Sequence, residues 1–156
     1  MANINWTRID ERMIHGQVVT QWIRYIHFDA ILLVDDGVAA DEFMKEVVCM
    51  AAPSDVKVHV LSVDDAVEYL AGDSQEDVMI LVRTPKTVER LVDKGVKIEK
   101  LNLGGMGVKP GRKKLLRNIA VSAEEAECFK SLAAKGVVTT YQMVPTDKPV
   151  EILNLL

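Results

Sequence analysis

Ten residues near the start of the chain, Arg8-Ile9-Asp10-Glu11-Arg12-Met13-Ile14-His15-Gly16-Gln17, hold two arginines, two carboxylates and a histidine. His15 is the nucleophile of that run. A neutral imidazole attacks well near pH 7 because its pKa lies close by. A phosphoryl group on His15 would need positive partners, and Arg12 and Arg8 stand three and seven residues away. A guanidinium grips two phosphoryl oxygens at once, which an ammonium does not do in the same geometry. Gly16 has no side chain to block the amides of Gly16, Gln17 and Val18, and Asp10 could orient Arg12 or the imidazole. Blander readings of the same residues stand beside this one: a surface or capping histidine, and arginines that simply pair with Asp10 and Glu11. A metal site of His15 with Asp10 and Asp35 meets two objections. No histidine pair has ligand spacing, and the arginines would repel a cation.

Such a loop needs a strand before it and a helix after it. Ile4 to Ile9 reads as the strand. Val19, Trp22, Ile23 and Ile26 recur at i, i+3, i+4 and i+7, a helical stripe that Val18 widens. The chain then alternates. Ile31 to Val34, Val56 to Val60, Val78 to Val82, Ile98 to Leu103 and Val137 to Val144 read as strands, with a short one at Asn118–Val121 and a final short strand or turn at Val150–Leu153. Helices are expected from Asp41 to Ala51, after Ser62, after Thr84-Pro85 and after the capping box Ser122-Ala123-Glu124-Glu125. This order predicts an α/β fold with an open, mainly parallel sheet, helices on both faces and antiparallel edge strands near the C-terminus.

Parallel strands share one carboxyl edge, where ligands gather. The residues due there are Asp10 to His15, Asp35 and Asp36, Ser62, Arg83 and Thr84, and Gly104-Gly105. That mixture of cations, acceptors and exposed amides suits a phosphate better than an apolar ligand. Two of its members are weak on their own. Asp35-Asp36-Gly37 also reads as a plain turn, and Gly104-Gly105-Met106-Gly107 is neither GxGxxG nor Walker A.

The totals narrow the classes. At 156 residues the chain, 1–156, reads as one domain large enough to bury a core without staples. A net charge of −4 argues against a general nucleic-acid footprint. A local basic run (Lys109, Arg112, Lys113, Lys114, Arg117) reads as a solvated loop, or else as a contact for an acidic partner or a membrane surface. Cys49 and Cys128 form no CxxC site or disulfide framework. No signal peptide opens the chain, and no apolar run nears the ~18 residues of a membrane span. A cytoplasmic location is expected.

The run Arg8 to Val18, followed by Trp22, resembles the start of the enzyme IIB components of the sugar phosphotransferase system, in the mannose–fructose–sorbose family. Ile31 to Asp36 with Asp41, Arg83-Thr84-Pro85 and Asn102-Leu103-Gly104-Gly105-Met106 fit the same layout, so the likeness spans the chain. Met13 stands where leucine is common, a volume-conserving change. The resemblance implies an open α/β sheet and a transient phosphohistidine at His15, on Nδ1. The phosphoryl would come from a IIA partner and pass to a sugar presented by membrane IIC and IID subunits, with the chain peripheral to the transporter. Arg12 would stabilise the phosphoryl group; Arg8, Asp10 and Gln17 would line or support the loop. Gly16, Asp35, Arg83, Gly104 and Gly105 are carried as further phosphate-binding or supporting candidates. No metal, nucleotide or other cofactor is called for. An apolar docking patch is expected from Met13, Ile14 and Met106, and Glu11 reads as a bystander. The sugar and any self-association stay open. The rival readings are a non-catalytic Rossmann-like module for a phosphorylated ligand or nucleotide, and a metal-dependent hydrolase. The Arg-x-x-His spacing separates them from a phosphohistidine carrier.

Overall fold

The computed structural model describes all 156 residues, Met1–Leu156. Its centre is a seven-stranded sheet in the order β3-β2-β4-β1-β5-β8-β9. The strands are β1 (Asn3–Asp10), β2 (Ala30–Val34), β3 (Lys57–Leu61), β4 (Asp77–Val82), β5 (Lys100–Gly105), β8 (Val138–Tyr141) and β9 (Val150–Glu151). All neighbours pair in parallel except β8 with β9. A separate antiparallel ribbon joins β6 (Lys113–Leu116) and β7 (Ile119–Val121). The antiparallel strands near the C-terminus are therefore present.

β2 and β4 are short apolar runs because both of their faces are covered. On one face Val63, Ala66 and Leu70 of α4 (Val63–Ala71), Val88 and Leu91 of α5 (Pro85–Asp93), and Phe129 and Leu132 of α6 (Ala123–Ala134) pack on Leu32, Ile80 and Ile9. On the other, Val18, Val19 and Trp22 of α1 (Gly16–Trp22), Val38 of α2 (Asp36–Ala39) and Val48 of α3 (Glu42–Ala51) pack on Ile31, Leu33, Met79 and Leu81. Side chains alternate along a strand, so one run feeds two cores. Each large aliphatic group so buried contributes about 2 kcal/mol before ordering costs.

Local chemistry sets the helix starts. Asp41, Ser62 and Ser122 accept from the backbone N–H three residues on, and Glu125 completes the capping box at Ser122. Thr84 holds the N-cap position of α5, but its hydroxyl bonds the Thr87 hydroxyl at 3.3 Å and not a helix amide; Pro85 presets the first helical residue. The first helix is shorter than its stripe suggests. It ends at Trp22, and Ile23 and Ile26 continue the apolar face from a turn, each only partly buried.

Candidate functional site

The site begins with an arginine inside the sheet. Arg8 is 1% exposed. By strand alternation it shares with Trp6 the face that α1 covers, opposite Ile9. Its guanidinium lies 5.7 Å from the Trp6 ring and 5.9 Å from the Trp22 ring, within cation–π range. It donates to Asn102 Oδ1, to the Gln142 carbonyl at 3.1 Å and to Asp10 Oδ2 at 3.3 Å. Burial lowers its pKa from the ordinary value, and Asp10 opposes that shift. This is a desolvated cation that survives because acceptors surround it.

Gly104 is what gives the guanidinium room. A Cβ there would stand 2.1 Å from Arg8 Cζ, and one on Gly105 would stand 2.9 Å from Asp10 Oδ1. The two glycines thus support the site by leaving space for its charged side chains. The sequence pattern had suggested only exposed amides.

Asp10 carries the charge network outward. It is buried at the end of β1 and accepts from both arginines. Arg12 donates to it twice through its side chain, Nε at 3.0 Å and Nη2 at 2.9 Å, and once through its backbone N–H at 3.0 Å. The Asp10 hydrogen bond pushes the Arg12 guanidinium further up from its ordinary pKa. Arg12 remains exposed, its side chain at 43%, so a fixed cation faces solvent. The turn closes through Met13 N–H to the Asp10 carbonyl at 3.0 Å. Met13 sits at φ 65°, a conformation that costs a non-glycine residue about 1 kcal/mol.

The chain then reaches His15, exposed at the N-cap of α1. Its side chain makes no cap bond and enters no ion pair. The first backbone bond of the helix runs from Val19 N–H to the His15 carbonyl. The amides of Gly16, Gln17 and Val18 ahead of it keep no protein acceptor, as at most helix starts. Gln17 is exposed, and Gly16 packs against α3, where a Cβ would lie 3.2 Å from the Ala51 carbonyl.

The sheet brings Arg8, Asp10, Arg12, Gly104 and Gly105 together. Arg83 follows the Ile9–Val82 pair on the adjacent strand. It falls on the face that holds Met79 and Leu81, the one α1 covers. Its Nε is buried without a partner. Asp35 is not part of this group. It lies at the end of β2, about 10 Å away across β4, and caps α2 through Val38 N–H at 3.0 Å. Asp36 likewise accepts from Val63 N–H and Arg90.

Three expectations are corrected. Ile14 and Met106 are 6% and 0% exposed, so they belong to the cores and form no docking patch with Met13. Glu11 is no bystander. It accepts from Gly107 N–H at 2.9 Å and pairs with Arg112 and, more loosely, with Lys109. Arg112 is not a solvated charge either. Its side chain is 1% exposed and grips Glu125 with two bonds, at 2.8 and 2.6 Å. Glu11, Arg112 and Glu125 tie the first loop to the β5–β6 connection and to α6. Neither role had a local signal, because Glu11 and Gly107 are 96 residues apart.

The fold and this loop define an open, doubly covered α/β protein with a charged strand-to-helix turn at its carboxyl edge. Comparison with known proteins makes the assignment specific. The model of the PTS system sorbose subfamily IIB component matches residues 4–156, and the chain belongs to that family. It is 33% identical over 158 residues to the fructose-specific EIIB component of Bacillus subtilis, covering all of this chain and 97% of that one. It is 36% identical over 155 residues to the mannose-specific EIIAB component of Escherichia coli, and spans 48% of that relative's length. The crystal structure of the IIBSor domain of the sorbose permease from Klebsiella pneumoniae superposes with a TM-score of 0.94 at 34% identity, covering 98% of this chain and 95% of that one. No helix is long and apolar enough to cross a membrane.

Proposed function

We propose that His15 is a relay point for a phosphoryl group. It takes the group from a phosphohistidine of a IIA partner and passes it to a sugar held by membrane IIC and IID subunits. One observation carries the reading: an exposed imidazole without any protein partner, on the same β1–α1 loop as Arg12, a guanidinium that Asp10 holds in place and leaves open to solvent. The EIIAB name of the mannose-specific relative joins an A and a B part in one chain, which supports a IIA donor.

In the first step the lone pair of neutral His15 attacks phosphorus in line with the donor nitrogen. The new N–P bond forms as the old one breaks, and the donor imidazole leaves neutral. In the second step a sugar hydroxyl attacks phosphorus, the His15 N–P bond breaks, and the hydroxyl proton passes to a base. Charge spreads over three equatorial oxygens in both transition states, so the protein's contribution is position and positive field. Arg12 supplies the field at the surface. Arg83, with its unpartnered guanidinium on the same face, is the second candidate cation. The seven-residue α1 offers the free amides of its first turn more than a strong dipole. Asp10, itself bonded by Arg8, holds Arg12 from beneath. No nucleotide or metal enters the step as written, because the donor brings the phosphoryl group and arginines meet its charge.

Relay places the chain peripherally on its transporter. The sugar is open, since relatives carry mannose, fructose and sorbose names. The test is to isolate the phosphorylated protein and add membranes bearing IIC and IID with each candidate sugar. Relay predicts loss of protein-bound phosphate with matching sugar phosphate. Phosphate retained with every sugar, or released only as inorganic phosphate, would refute it.

A further inference from the structure

The relay reading requires a donor to cover His15, yet of the apolar residues in the loop Ile14 is buried and Met13 is partly buried. A stripe of uncovered apolar side chains lies next door, on α3. Phe43, Val47 and Met50 are 73%, 43% and 85% exposed. Their spacing at i, i+4 and i+7 puts them on one face of the helix. The end of that helix touches the start of α1. Ala51, next to Met50, packs its carbonyl against Gly16, and a shallow groove runs between Gly16-Gln17 and Ala51–Pro53.

We propose that the Phe43–Val47–Met50 face of α3 is the docking surface for the IIA phosphoryl donor, a proposal that rests on the relay reading. Size supports it first. A standard interface covers roughly 800 Å² per partner, a disc about 16 Å in radius. The stripe is about 10 Å long and starts beside Gly16, so a footprint centred on His15 reaches it. Anatomy supports it next: an apolar centre with exposed Glu42 and Glu46 alongside resembles the core and rim of a protein interface. The opposite flank differs. There β5 leads into the basic ribbon, where Lys109, Lys113, Lys114 and Arg117 stand exposed. By strand order α3 lies over β2 and β3, on one side of β1, and the ribbon follows β5 on the other. The two flanks thus differ in chemistry, and the apolar one supplies the charge-depleted centre that a donor interface needs.

The test titrates the unphosphorylated IIA domain into isotope-labelled protein and follows backbone resonances, with donor kinetics in parallel. Docking predicts shifts over residues 43–53 and around His15. Met50→Glu and Val47→Glu should each raise the KM for phospho-IIA about tenfold, as central apolar anchors do. The melting temperature and the rate at saturating donor should stay near wild type, and Lys130→Glu on α6 should change nothing. Shifts confined to the basic ribbon, or unchanged KM in both α3 variants, would overturn the proposal. So would α3 variants that slow sugar phosphorylation alone, which would assign this face to the membrane subunits. Loss of a concentration-dependent dimer in Met50→Glu, with IIA titration unaltered, would assign it to a second copy. If IIA shifts α3 and Met50→Glu weakens that binding while no phosphoryl reaches His15, the docking surface stands and the relay role falls.

Discussion

Arg12 shows how a carboxylate can prepare a cation for an anion. Asp10 uses three bonds to fix it, one to the backbone and two to the guanidinium, so little side-chain freedom is left to lose when phosphate arrives. Lysine cannot reproduce that two-point hold. Arg12→Lys should slow phosphoryl transfer about 100-fold, read by rapid quench, while stability moves by less than ~1 kcal/mol because the side chain is 43% exposed. Unchanged transfer would remove Arg12 from the clamp. Beneath it, Arg8 has nowhere to retreat from a new Cβ. Gly104→Ala should destabilise by about 2 kcal/mol in urea unfolding, through overpacking against a pinned guanidinium. A neutral result would mean that Arg8 can move. Residue types and spacing single out His15 and Arg12 in the sequence as candidates, and the structure adds the Asp10 bonds that hold Arg12. The function of Gly104 was not legible, because it is defined by a side chain on a neighbouring strand.

Two seams between elements depend on ion pairs. Arg112 joins the first loop to α6 through Glu11 and Glu125. Arg112→Ala leaves two carboxylates without their shared cation and should cost about 3 kcal/mol, with faster amide exchange over residues 107–121; unaltered exchange there would deny the tie. The other seam joins α5 and α6. Glu89 hydrogen-bonds Ser131 and pairs with Lys86 at 2.9 Å and Lys135 at 3.6 Å, and these contacts bring its pKa from 4.5 to about 2. A folded value below the unfolded one means stability that is complete above about pH 5 and fades as pH falls toward 2. Glu89→Gln should therefore lose less melting temperature than wild type between about pH 5 and pH 2.5. Equal losses would show that the seam does not titrate. The elements themselves were largely legible, since period and caps are local signals. Two escaped. The strand Lys113–Leu116 lies in a basic run without alternation and exists by pairing with Ile119–Val121. The helix Asp36–Ala39 is a single turn set by the Asp35 cap.

At the scale of the whole molecule, one sheet feeds two cores and presents one charged edge. The order of strands and helices announced that architecture, because continuous apolar runs occur where both faces are covered. Strand order was not legible. It decides that β1 lies between β4 and β5, which brings Arg83 and Gly104-Gly105 beside the first loop and leaves Asp35 outside it. The arrangement leaves the His15 imidazole exposed and without a protein partner at that edge. The central claim is thus covalent and local. The protein is incubated with labelled phosphoenolpyruvate, the general phosphotransferase proteins and a IIA donor, and the label is mapped by mass spectrometry. An acid-labile, base-stable phosphate is expected on His15, and His15→Ala should abolish it while the melting temperature stays near wild type. A wild type left unlabelled by several IIA donors, or a label that survives His15→Ala, would contradict that claim.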